Sequence, residues 1–113
     1  MVKAFVVFFS GGLGSVCRYL MTLHISKFVG VPGSILIVNV SGGFVAGVVA
    51  CKFPHLKLFL LIGFLGGFTT FSAFSLECVS MIQNQQFFFV TLYIILSVLL
   101  SVLSAWVGLS IFN

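Results

Sequence analysis

Gly63-Phe-Leu-Gly-Gly-Phe-Thr-Thr-Phe-Ser-Ala-Phe74 lies inside an apolar segment, Leu58 to Met81, long enough to cross a bilayer. It holds three glycines, two threonines and a serine where a lipid-facing helix favours leucine. Glycine costs about 1 kcal/mol relative to alanine in a helix interior. The hydroxyls of Thr69, Thr70 and Ser72 offer the backbone an alternative to the helical ladder. A spanning helix that breaks in mid-membrane must bury its freed N–H and C=O groups in protein, or aim them at water or an ion. The stretch is therefore expected to break the third of several spans and to be a candidate ion site.

The surrounding composition fits a membrane protein. Of 113 residues, 61% are hydrophobic, against ~45–50% in soluble domains. Formal charge is confined to Lys3, Arg18, Lys27, Lys52, Lys57 and Glu77, too few to cover a soluble domain. The basic residues are scattered rather than clustered, which argues against nucleic acid and for helix ends near lipid headgroups. Cys17, Cys51 and Cys78 have no CxxC or Cys/His spacing, so buried free thiols are expected rather than disulfides or a zinc site. Glu77 is the one carboxylate, and His24 and His55 fall near span ends. With no acid/base pair and no nucleophilic triad, an enzyme is not expected.

Polar breaks divide the chain into four apolar spans, 4–23, 34–51, 58–81 and 87–111, forming one transmembrane domain over residues 1–113. Each is near the ~20 residues that cross a ~30 Å hydrocarbon core. Gly30, Pro32 and Gly33 are expected to form the first turn, Lys52 to Lys57 the next loop, and Gln83 to Gln86 a polar turn. Phe5 to Phe9 after Lys3 imitates a signal peptide, but no A-x-A-like site follows, so a retained first helix is expected. Four spans place both termini on one side with Lys3, Lys52 and Lys57, opposite Lys27. This small lysine excess favours cytoplasmic termini and permits insertion in both orientations. The small-residue pairs Gly43/Gly47, Gly63/Gly67 and Gly11/Ser15 mark places where helices approach closely.

Several intramembrane polar residues admit two readings. Arg18 either snorkels to headgroups or faces a cavity. Glu77 either pairs or caps, or serves a polar site. Asn39 either glues helices together or donates amide hydrogens to an anion. Tyr93, Ser97, Ser101 and Ser104 share a helical face that is either a packing seam or a polar lane along a pore. Phe71 and Phe74 are either core aromatics or ring edges, whose partial positive charge suits an anion.

Three segments carry a resemblance: Gly11-Gly-Leu-Gly-Ser-Val-Cys-Arg-Tyr19, Val38-Asn-Val-Ser-Gly-Gly-Phe44, and Gly63 to Phe74. In order and along essentially the full length, they resemble the signatures of Fluc (CrcB-like) fluoride channels. The resemblance implies an all-α subunit of four transmembrane helices, the third broken, in an antiparallel, dual-topology dimer with two fluoride pores. It implies passive fluoride export across a bacterial plasma membrane, with a structural Na⁺ between the broken helices. By motif matching, the backbone carbonyls of Gly66 and Thr69 would be the Na⁺ ligands. Asn39, Phe71 and Phe74 would be pore residues, with Ser72, Ser97 and Ser101 as polar-track hydroxyls and Arg18 and Glu77 as vestibule or polar support; Tyr93 joins the expected pore residues from the shared helical face. The partner is a second copy or a paralogous subunit. Cys17 stands where alanine is common, and Ala73 where the family often has a hydroxyl. The competing reading is a small multidrug-type proton-coupled antiporter of similar size. That class depends on a glutamate in its first span, where this chain has Arg18.

Overall fold

The computed structural model describes residues 1–112. It is all-helical there, and three helical stretches are long and apolar enough to cross a membrane: Val2–Lys52, Pro54–Gln83 and Phe87–Ile111. The first cannot be straight. At about 1.5 Å per residue a 51-residue helix would run about 76 Å, whereas the longest dimension of the molecule is 46 Å. The chain folds back at Gly30, whose φ of 80° and ψ of 173° lie outside the helical region. That combination belongs almost exclusively to glycine, because a Cβ there would clash. We designate the two arms α1 (2–29) and α2 (31–52).

The expected first turn is thus narrower than its composition suggests. Helix α1 continues through His24, Ser26 and Lys27 instead of ending at residue 23. Hydroxyls there bond within the helix, Ser26 Oγ to the Leu23 carbonyl at 3.2 Å. Polarity marks where a helix leaves the apolar layer, not where its hydrogen bonds stop. Pro32 occupies the first turn of α2, where its missing N–H removes no helical bond, and Ser34 Oγ donates to the Val31 carbonyl at 2.7 Å.

The second long stretch is the irregular one. A 3₁₀ turn, Pro54–Leu56, leads into a π-helical segment, Lys57–Leu65, and a single α-turn, Gly66–Phe68. We call 57–68 helix α3. At Thr69 the backbone becomes extended (ψ 155°), and α4 begins only at Ser72 and runs to Gln83. The break expected from the glycine- and threonine-rich stretch therefore falls at residues 69–71, while the π-type widening before it had no sequence cue. A turn with Gln85 at φ 60° connects α4 to α5, Phe87–Ile111, which starts and ends where the apolar run does.

Small residues position these helices. A Cβ on Gly14 would land on the Phe64 carbonyl, one on Gly67 on the Gly11 carbonyl, and one on Gly63 on Ser10. These contacts seat α1 directly on α3. On the other side, Gly47 faces the Ala105 carbonyl and Gly108 the Phe44 carbonyl, bringing α2 and α5 into backbone contact. The Gly43/Gly47 and Gly63/Gly67 pairs thus mark α2–α5 and α3–α1 contacts, as close-approach spacing requires in lipid. Two apolar clusters fill the interior. Val38, Leu65 and Phe68 join α2 to α3, with Cys17 and Met21 of α1 packed against them. Ile35, Phe74, Cys78, Val90 and Tyr93 join α2, α4 and α5. All three cysteines are free.

Candidate functional site

The break at 69–71 is held by side chains from two other helices. Asn39 of α2 grips Thr70 on both backbone groups: Thr70 N–H donates to Asn39 Oδ1 at 2.8 Å, and Asn39 Nδ2 donates to the Thr70 carbonyl at 2.9 Å. The Thr70 hydroxyl accepts the Ala73 N–H at 3.1 Å, covering a free donor at the start of α4, and lies 3.3 Å from Ser72 Oγ. Arg18 of α1 donates from Nε to the Gly67 carbonyl at 3.2 Å. Thr69 Oγ1 turns back to the Leu65 carbonyl at 2.9 Å. Protein groups therefore satisfy several of the backbone atoms freed by the break, as a membrane interior demands.

Next to the break is a cavity of about 370 Å³ lined by Asn39, Thr69, Thr70, Phe71, Phe74, Ser97, Ser101 and the valines 98 and 102. Asn39 has spent one of its two amide hydrogens on Thr70; the other remains for the cavity. The two readings of Asn39, glue and donor, thus each claim half of its amide. Ser97 is only 7% exposed, and its Oγ has no hydrogen-bond partner among the described residues. A buried hydroxyl left unpaired costs about 1–3 kcal/mol, so this group asks for a ligand. Phe74 is buried and lies 5.5 Å, centroid to centroid, from Phe71 and 5.3 Å from Tyr93. Phe71 projects outward, 77% exposed.

Not every candidate reaches this cavity. Tyr93 contributes its ring to the Phe74 stack, but its hydroxyl donates to the Pro32 carbonyl at 3.1 Å, tying α5 to the start of α2. Ser104, on the same face of α5, bonds the Val40 and Ser101 carbonyls, each at 2.8 Å. The hydroxyl face is therefore divided: its two ends form a packing seam, and Ser97 and Ser101 in its middle line the cavity. Ser72 Oγ approaches Thr70 instead of lining the cavity, and Glu77 lies one turn beyond Phe74, half-buried and outside the lining. Arg18 is outside the lining and bonds the backbone beside the break. Thr70 was not among the expected site residues. Its signal was present, since a threonine three residues before an N–H at a helix start is a capping pattern. Among the described residues no group of three or more His, Cys, Asp or Glu side chains could hold a metal.

The Gly66 and Thr69 carbonyls stand apart from this satisfied framework. In a continuous helix each would accept the N–H four residues on, but Thr70 N–H goes to Asn39 and Ala73 N–H to the Thr70 hydroxyl. Gly66 is also exposed. These are hard oxygen donors of the kind that suits a small cation.

Residues 5–109 match the family model described as CrcB-like protein, Camphor Resistance (CrcB). A relative from Flavobacterium psychrophilum, named fluoride-specific ion channel FluC, is 41% identical over 98% of this chain and 97% of its own length. Relatives of the same name from Elusimicrobium minutum and Rhizobium johnstonii are 40% and 42% identical, covering 96% and 98% of this chain and 92% and 96% of their own lengths. With nearly the whole sequence matched by the family model and by relatives at this level of identity, the chain belongs to the CrcB-like family.

Proposed function

We propose that this chain is the subunit of a fluoride-selective channel that releases fluoride passively from the cytoplasm across a bacterial plasma membrane. The observation that carries this reading is the buried, unpartnered Ser97 hydroxyl facing a cavity shared with the Asn39 amide and the Phe71 and Phe74 rings. Fluoride is small and strongly hydrated, so a pore must replace its water with donors while binding weakly enough to let it leave. Neutral hydroxyl and amide donors and aromatic ring edges meet both demands; a lysine or arginine in the lining would hold the ion too tightly. The lining contains no carboxylate, and the first span carries Arg18 bonded to the Gly67 carbonyl. Both features disfavour the cation antiporter. Its relatives are channels by name, which supports a non-enzymatic role.

The assembly belongs to the same proposal. Helices α1, α2, α3–α4 and α5 are four membrane crossings in one domain, with both termini on one side. Two subunits, identical or paralogous, pair antiparallel, and each break faces the other. Support comes from the exposed Gly66, whose unpartnered carbonyl would be costly on a lipid-facing surface. The free carbonyls of Gly66 and Thr69 fit a structural Na⁺, four oxygens being supplied when two chains meet. When bound, the cation neutralises the carbonyl dipoles and joins the subunits. Arg18 and Asn39 hold the backbone around it; Ser97, Ser101 and the phenylalanines line the anion path.

Reconstituted proteoliposomes loaded with fluoride or chloride test the function. Fluoride efflux with negligible chloride flux is expected, and Phe71→Ile or Phe74→Ile should lower it while leaving assembly intact. Equal flux of both anions, or of neither, refutes the channel reading.

A further inference from the structure

The freedom of the Gly66 and Thr69 carbonyls has a specific cause. Two side-chain acceptors have taken the two amide hydrogens that helical continuity assigns to them. Asn39 Oδ1 holds Thr70 N–H at 2.8 Å, and Thr70 Oγ1 holds Ala73 N–H at 3.1 Å. The adjoining Gly67 and Thr70 carbonyls are themselves occupied, by Arg18 Nε at 3.2 Å and Asn39 Nδ2 at 2.9 Å. Side chains thus fill two carbonyls and divert the donors of two others, and the two whose donors are diverted are the pair that motif matching assigns to the cation.

We propose that Asn39 and the Thr70 hydroxyl are positioning residues for the cation site, holding the third span open at 69–71 so that the Gly66 and Thr69 carbonyls remain free. The physical drive is donor satisfaction in a medium without water. An N–H in a low-dielectric interior takes the best acceptor within reach. With Oδ1 and Oγ1 present, Thr70 and Ala73 N–H have partners outside the helical ladder and the break is stable. Without them, the nearest acceptors are the Gly66 and Thr69 carbonyls, and the helix closes over its own cation ligands. Thr70 suits the task because its hydroxyl reaches the N–H three residues on, as an N-cap does. It is buried at 7% exposure.

This inference rests on the Na⁺ reading above, and its test separates the two. The full-length protein is titrated with Na⁺ against N-methylglucamine at constant ionic strength, and thermal unfolding reports cation binding. Thr70→Val keeps the shape and loses the acceptor; Thr70→Ser keeps the acceptor. Thr70→Val and Asn39→Ala are expected to shift the Na⁺ midpoint upward by about tenfold or more, and Thr70→Ser by about twofold or less. A wild-type midpoint in Thr70→Val overturns the inference. A second measurement needs no variant: Thr69–Thr70 is the only Thr–Thr pair in the chain. Threonine labelled with ¹³C′ and ¹⁵N therefore isolates, by solid-state NMR, the Thr69 carbonyl and the Thr70 amide. The carbonyl resonance should move with Na⁺ while the amide stays hydrogen-bonded; a carbonyl that ignores Na⁺ while the protein is stabilised overturns the inference alone. If Na⁺ stabilises the wild type no better than N-methylglucamine, the sodium reading fails and takes this inference with it.

Discussion

Replacing Ser97 by alanine should separate stability from conduction. Its Oγ is buried without a partner, so the ion-free protein carries a desolvation cost of about 1–3 kcal/mol at this position. Ser97→Ala removes that cost at the expense of one small oxygen's packing, and the variant should be as stable as the parent, or more so by about 1 kcal/mol. Conduction should suffer. A hydrogen bond to a charged group is worth about 1.5–3 kcal/mol, or roughly 10- to 100-fold in rate if the whole loss appears in the barrier. Ser104→Ala, about two turns further along the same helical face, is the counterpart. Its Oγ bonds the Val40 and Ser101 carbonyls, so alanine should destabilise the fold by about 1 kcal/mol and leave fluoride flux per folded channel nearly unchanged. Initial efflux rates from proteoliposomes, read with a fluoride electrode, and thermal unfolding of the same preparations give both quantities. Wild-type flux in Ser97→Ala would refute the assignment of its hydroxyl to the anion. Equal losses of stability in both variants would show that Ser97 has a structural partner.

Four further substitutions probe the scaffold. Gly14→Ala should destabilise the protein by about 1–3 kcal/mol because its Cβ meets the Phe64 backbone. Gly12→Ala, two residues away with nothing near its would-be Cβ, should be neutral or slightly stabilising; both are read by thermal unfolding. Gly30→Ala should cost about 1–3 kcal/mol, since its φ of 80° with ψ of 173° is strained for any residue with a Cβ, and the same unfolding assay decides it. Tyr93→Phe keeps the ring against Phe74 and loses only the bond to the Pro32 carbonyl. A loss of about 1 kcal/mol in stability with near-normal flux is expected, and a large flux defect would return that hydroxyl to the pore.

Composition and periodicity alone determined the class: an apolar chain with so few charges must be solvated by lipid, and its small-residue pairs had to mark helix contacts. The break was also legible, because glycines and hydroxyls in mid-span weaken one helix locally and need no knowledge of its neighbours. The limits of the first helix were less so, since His24, Ser26 and Lys27 signal polarity while backbone hydrogen bonding continues to residue 29. What the tertiary structure decided is how each polar group is used. Along α5 the hydroxyls of Tyr93, Ser97, Ser101 and Ser104 share one face and look alike, yet α2 brings carbonyls to the first and last and leaves the buried Ser97 oxygen unpaired at the cavity. Asn39 could offer two amide hydrogens in the sequence and offers one in the fold, because Thr70 takes the other. A donor's role depends on which acceptor lies within about 3 Å, and in this bundle that acceptor often comes from a residue tens of positions away.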